Sequence, residues 1–247
     1  MCVRTATWRR PCHPCGRRAA WTCPSREELL SWDSSGASAS LTAVEQDGRL
    51  PVRELAYEPV PGVVAYAVDA PPAIIVRTAM QGAFGVVPDI VLSGVNLGVN
   101  TGHAVVHSGT VGATLTASND DRSAMAVSLE LRDEAHWETA HHVAVVVLRW
   151  LVEQPPPLIL NVNVPNRPLD RLEGVRPARL APFGAVQTNI TEIGKGYVRV
   201  EYADVDATPA SDTGVAMLKS GYASVTALAG VCERTDVDIT SLALVPS

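Results

Sequence analysis

Lysine is nearly missing from this chain. It occurs twice in 247 residues, at Lys195 and Lys219, so arginine supplies almost all of the 20 Lys and Arg residues. With abundant Ala, Val, Gly and Pro, that bias marks a GC-rich coding sequence rather than a structural demand. A surplus of positive charge is also missing: the net charge of −6 argues against a nucleic-acid-binding surface. No run of about 18 apolar residues occurs, so the sequence predicts no membrane span. Cysteine is almost absent after residue 32, where Cys232 stands alone. A cysteine-poor body points to a reducing, cytoplasmic compartment without disulfides. What remains is ample for a core: 47% of residues are hydrophobic, and the length suits one α/β domain, alone or with a smaller appendage.

The first 32 residues differ from the rest. They hold Cys2, Cys12, Cys15, Cys23, Trp8, Trp21 and Trp32, and six arginines against Glu27 and Glu28. Neither strand nor helix periodicity is visible in them. Cys12-His13-Pro14-Cys15 is a C-x-x-C, with Cys23 and His13 as further candidate zinc ligands. Arg9-Arg10 lacks the apolar stretch that an export signal needs behind it. The segment 1–32 is therefore read as disordered or as an out-of-frame translation, and 33–247 as the folded body.

The body alternates. Val63–Val68 reads as a strand, and Pro71-Pro72 opens a helix running to about Gln81. Ile90-Val91-Leu92 is a short buried strand, followed by a helix from Thr110 to about Ser118 and a strand over Ala124–Leu129. The longest helix spans Glu134–Gln154 with an apolar stripe through Trp137, Ala140, Ala144, Val147, Leu148 and Leu151. Pro155 to Pro157 stop it before a strand over Leu158–Val164. Strands alternating with helices predict a mostly parallel, Rossmann-like sheet covered on both faces. Gln46-Asp47-Gly48-Arg49 reads as a hairpin turn. The last third is less regular, with extended segments at Leu180–Thr188 and Gly194–Tyr202, a short helix to Lys219 capped by Asp212, and a strand over Gly221–Leu228. It forms an extended β-rich C-terminal part, and 170–247 is expected to contribute to oligomerisation.

The functional candidate is the stretch Pro88–Thr114, PDIVLSGVNLGVNTGHAVVHSGTVGAT. A strand there delivers a Gly-, Asn- and Ser-rich loop to a helix N-terminus, which presents backbone N–H groups to an anion. Asn carbonyls can ligate a hard cation, and the hydroxyls of Ser108 and Thr110 can donate to phosphate oxygens. His107 can be a general acid or an orienting group. His103 lies on the same loop, and His136, His141 and His142 are expected on the solvent face of the long helix.

These residues resemble the SurE family of stationary-phase survival proteins, which are metal-dependent nucleotidases. The resemblance is carried by Ser35-Gly36-x-Ser38, Ala65–Ala73, Ser93-Gly94-x-Asn96-x-Gly98-x-Asn100-x-Gly102 and His107-Ser108-Gly109-Thr110-Val111. Ala126-Val127-Ser128, Leu160–Pro165 and Gly221-Tyr222-x-Ser224-Val225-Thr226 continue it in the same order, so that it covers about residues 33–230. It implies an α/β Rossmann-like domain and hydrolysis of nucleoside 5′- and 3′-monophosphates, with one divalent metal ion, Mg or Mn. It places Ser35 and Asn96 on the metal, and Asn100, Ser108, Gly109 and Thr110 on the phosphate. It further implies a homodimer or homotetramer. The family's remaining metal ligands are two adjacent Asp on an N-terminal strand, and residues 1–34 contain no such pair. Asn119-Asp120-Asp121 has the letters but follows a helix, and reads as a helix-ending turn. The alternatives are a catalytically impaired nucleotide- or phosphate-binding relative, and a non-enzymatic oligomeric scaffold with a zinc module.

Overall fold

Three apolar runs bounded by turn residues form the centre of the sheet: β5 (Ile90–Leu97), β6 (Ser123–Leu129) and β7 (Ile159–Val164). They pair in parallel, β5 with β6 and β6 with β7. Every residue of β6 and β7 is buried, as strands covered on both faces must be. The structure, a computed structural model, describes residues 2–6, 27–31, 49–55, 64–182, 186–204, 209–233 and 235–236.

Other strands flank this centre. On one side lie β1 (Cys2–Ala6), β2 (Glu27–Ser31), β3 (Val52–Leu55) and β4 (Val64–Val68); on the other lie β8 (Val175–Pro177) and β11 (Ala223–Leu228). The order across the nine strands is β3-β4-β2-β1-β5-β6-β7-β11-β8. β1 runs antiparallel to both β2 and β5, and β11 runs antiparallel to β7. The sheet is thus parallel at its centre and mixed outside it. Two segments of the unpatterned first 32 residues, Cys2–Ala6 and Glu27–Ser31, are strands of this sheet.

Helices cover both faces. α1 (Pro72–Met80) begins on a proline, whose missing N–H is harmless in a first turn, and it buries Ile74, Ile75, Val76 and Ala79. It shares one apolar cluster with α2 (Gly109–Ser118) and with Val91, Ala124 and Ile159 of the central strands. α3 (Trp137–Leu151) lies on the opposite face. Its Ala140, Val143, Val147 and Leu151 recur at three and four residues and pack on Met125, Leu129, Leu160 and Val162. The expected stripe holds at Ala140, Val147 and Leu151, with Ala144 and Leu148 half-buried against the same cluster; Trp137 departs from it at 49% exposed, and Val143 joins it fully buried. Truncating a buried Leu such as Leu151 to Ala would cost about 2–5 kcal/mol.

The two faces of each central strand follow from period-2 alternation. Met125, Val127, Leu129, Leu160, Val162 and Val164 belong to the α3 cluster, whereas Ala124 and Ile159 belong to the α1–α2 cluster. Ser128, Asn161 and Asn163 therefore stand on the α1–α2 face, toward the C-terminal strand ends.

The C-terminal part is β-rich as expected, with shifted bounds. β9 (Val186–Gly194) and β10 (Tyr197–Asp204) form a separate two-stranded antiparallel hairpin. α4 (Gly214–Lys219) begins after Thr213, not Asp212. Thr213 occupies the cap position with extended dihedrals, while the Asp212 carboxylate sits 3.6 Å from the Arg179 guanidinium. The Asp212 cap is thus corrected to an exposed ion pair. The hairpin turn at Gln46–Arg49 lies outside the described residues, except for Arg49.

Candidate active site

The site grows from β5. The sequence reading ended this strand at Leu92; in the structure it continues to Leu97, with its register against β6 shifting between Ser93 and Asn96. At Gly94, φ is 130°, and a Cβ there would run into the Val127 carbonyl oxygen of β6. Only glycine fits that close backbone approach. Beyond the strand, the Gly98 N–H donates to Leu129 O at 2.8 Å, tying the loop to the end of β6. Asn96, half-buried, donates from Nδ2 to the Gly98 carbonyl at 2.6 Å. That bond fixes which end of the amide is the donor and leaves Oδ1 as the oxygen available to a cation.

Asn100 is held more firmly. Its N–H donates to Asn163 Oδ1 at 2.7 Å, and its carbonyl accepts from Asn163 Nδ2 at 2.9 Å and Asn161 Nδ2 at 2.8 Å. Its side-chain Nδ2 donates to Ser128 Oγ at 2.8 Å. Ser128, Asn161 and Asn163 are 0%, 1% and 2% exposed. The sequence reading assigned none of these three to the site, although the alternation Asn161-Val162-Asn163 in an otherwise apolar strand was a signal for it. The oxygens Ser93 Oγ, Asn161 Oδ1 and Ser224 Oγ are buried without a partner among the described residues. Each would cost about 1–3 kcal/mol unless water meets it.

After Asn100 the chain turns through a short 3₁₀ helix, Gly102–His107, into α2. Ser108 caps that helix: its Oγ accepts from the Val111 N–H at 3.2 Å, and its carbonyl accepts from Gly112 N at 2.8 Å. First-turn amides have no partner within their own helix. Val111 is met by the Ser108 hydroxyl, and the Gly109 amide is left at the mouth of the helix with no carbonyl partner among the described residues. Gly109 and Thr110 are buried there, and the helix dipole adds positive potential at the same end. His103 and His107 are both exposed. Asn119-Asp120-Asp121 forms the turn that ends α2, with Asp121 at φ 54°.

The structure thus brings Asn96, Asn100, Ser108, Gly109 and Thr110 into one strand–loop–helix unit. Ser35 lies outside the described residues. Residues 31–185 match the family model described as survival protein SurE. The chain belongs to the SurE family. It is 35% identical over 173 residues to the 5′-nucleotidase SurE of Azotobacter vinelandii, spanning 66% of this chain and 67% of that relative. It is 33% identical over 199 residues to the 5′-nucleotidase SurE of Legionella pneumophila, spanning 78% and 75%. To the 5′/3′-nucleotidase SurE of Erwinia tasmaniensis it is 34% identical over 201 residues, again 78% and 75%. The crystal structure of the SurE protein from Aquifex aeolicus superposes with a TM-score of 0.66 at 22% identity, covering 86% of each chain, which shows the shared α/β fold.

The SurE family generally depends on a metal ion. Asn96 supplies one oriented oxygen of the hard type that Mg²⁺ or Mn²⁺ accepts. Among the described residues, no group of three or more His, Cys, Asp or Glu side chains is placed to hold a metal. Asn96 thus offers one neutral oxygen, and no cluster of carboxylates joins it among the described residues. No helix of the described residues is long and apolar enough to cross a membrane.

Proposed function

We propose that this chain is a metal-dependent phosphomonoesterase, hydrolysing nucleoside 5′- and 3′-monophosphates to nucleoside and phosphate. The observation that carries this reading is the capped, buried N-terminus of α2: Ser108, Gly109 and Thr110 offer hydroxyl and amide donors where a helix end favours a dianion. Asn100 offers a further amide. Its Nδ2 spends one N–H on Ser128, and a primary amide has two. Such fixed donors stabilise the charge that builds on phosphoryl oxygens during transfer. Ser35 and Asn96 would hold the divalent ion, Mg or Mn, whose chemistry is to polarise the phosphoryl group and acidify a water. His107, exposed one residue before the cap, is the candidate either for delivering a proton to the departing nucleoside oxygen or for orienting the substrate. The nucleotidase names of the relatives support the same substrate class.

The reading includes a cytoplasmic location and a homodimer or homotetramer in which residues 170–247 take part. Supporting the latter, the β9–β10 hairpin exposes Ile190, Ile193 and Val198. An isolated two-stranded hairpin is marginal in water, so a partner surface would stabilise it. The deciding assay is phosphate release from 5′-AMP, 3′-AMP and an aryl phosphate after chelation, with Mn²⁺ or Mg²⁺ then restored. Release that returns with the metal is expected. Turnover unaffected by chelation would refute the metal dependence, and no turnover with either metal would refute the enzyme reading.

A further inference from the structure

The bonds that hold Asn100 come from side chains with no part in the chemistry proposed above, and their placement is costly. Ser128, Asn161 and Asn163 occupy inward positions of fully buried strands, where an apolar side chain would pack without needing any partner. We infer that these three are positioning residues that fix the Asn100 peptide and side-chain amide at the phosphate end of the site. The catalytic consequence rests on the phosphomonoesterase reading; the geometry does not.

The Asn163 amide meets both the N–H and the carbonyl of Asn100, which is what a neighbouring strand's backbone would do. Asn100 is thereby attached to β7 although no strand pairs with it, and Asn161 adds a second donor to the same carbonyl. In the structure the bond to Ser128 anchors the Asn100 side chain with Nδ2 toward that hydroxyl. With Nδ2 turned to Ser128, the remaining N–H points away from that hydroxyl and is free to donate. A rotated amide would present its carbonyl oxygen, which repels a phosphate oxygen. The backbone of the loop is thus set by Asn163 and Asn161, and its donor by Ser128.

The test uses the full chain, with hydrogen exchange and kinetics measured in parallel. In the wild type, the Asn100 amide is expected to be protected. Asn163→Ala should raise its exchange at least about tenfold while amides of β6 and α3 keep theirs, and should lower kcat/KM for AMP by about 100-fold, since small misplacements of a binding group have that effect. Ser128→Ala should leave the exchange of the Asn100 amide unchanged, raise the inhibition constant of inorganic phosphate by about tenfold, and lower kcat/KM by about tenfold or more. A purely structural role would not produce that combination. Should Asn163→Ala fail to fold, Ser128→Ala decides. Fast exchange of Asn100 in the wild type, or unchanged exchange in Asn163→Ala, overturns the inference. If the wild type releases no phosphate from any substrate, the nucleotidase reading falls, and exchange alone decides the positioning role.

Discussion

Gly94→Ala should disable the site by damaging the sheet beneath it. Gly94 has φ 130°, a region that residues with a Cβ rarely adopt, and its added Cβ would strike the Val127 carbonyl oxygen. The obstacle is backbone of a fully buried strand, not a side-chain tip that can swing away. Backbone strain of this kind costs about 1–3 kcal/mol, and forcing extra volume into a packed interior costs about 1–3 kcal/mol more. The expected loss, about 2–6 kcal/mol, is a large part of the roughly 5–15 kcal/mol that holds a typical domain together. Gly85→Ala separates the two contributions. Gly85 has φ 98°, but a Cβ there meets nothing within 4 Å, so only the conformational penalty remains. Denaturant unfolding of both variants, with phosphate release from AMP, measures the difference. Gly94→Ala within about 1 kcal/mol of Gly85→Ala, with activity intact, would refute the close approach of β5 and β6 as the reason for glycine here.

Ser108→Ala removes the α2 cap and should lower stability by about 1 kcal/mol in denaturant unfolding, while weakening inhibition by inorganic phosphate. Tyr197 titrates above its ordinary value of 10.0, first because its phenol donates to Glu192 and second through desolvation, with Arg199 opposing. The folded state therefore favours the neutral phenol. The stabilising contribution is complete below pH 10 and lost as pH rises through the raised folded value. Absorbance titration compared with Tyr197→Phe should show a late-ionising phenol, and Glu192→Gln should bring it back toward 10.0. Ile193 is 77% exposed on the hairpin, so Ile193→Lys should shift the chain toward monomer in light scattering without lowering the unfolding midpoint of the isolated monomer.

Much of the fold was legible because its centre obeys simple periodicities. The apolar runs at Ile90, Ala124 and Ile159 sit between turn residues, and α3 repeats its core residues at three and four. The start of α2 was legible for a related reason: the Gly-, Ser- and Thr-rich loop gives way there to apolar residues at helical spacing, and the helix begins at Gly109 behind the Ser108 cap. Less legible were features set by tertiary contact. Trp137 has the spacing of a core residue but falls at the first residue of α3, where it stays half exposed. Asp212 is chemically suited to a cap, yet Thr213 takes the extended dihedrals and Asp212 turns to Arg179. The Asn161-Val162-Asn163 pattern could have identified the clamp on Asn100. Naming its partner required knowing that the loop after β5 folds back over β7, a contact 63 residues apart in the chain.

The metal end shows where local pattern stops being informative. The SurE resemblance implies a central strand that ends in an Asp pair, delivered toward the loop that carries Asn96. In this chain the neighbour of β5 on that side is β1, and it runs the other way: Val3 is paired with Ser93 near the site, and Ala6 with Ile90 at the far end. An antiparallel neighbour brings the beginning of its strand to the place where a parallel one brings its end. The C-terminal end of β1, Ala6, therefore lies opposite Ile90, away from the end of β5 that leads to Asn96. Hydrogen bonding can complete the sheet with almost any extended segment, because every backbone carries the same donors and acceptors. A metal site cannot be completed that way, since it depends on which side chains arrive and from which direction. The strand–loop–helix unit proposed to hold phosphate, with the side chains that grip Asn100, is built wholly from residues 90–163 and does not depend on that strand's sequence.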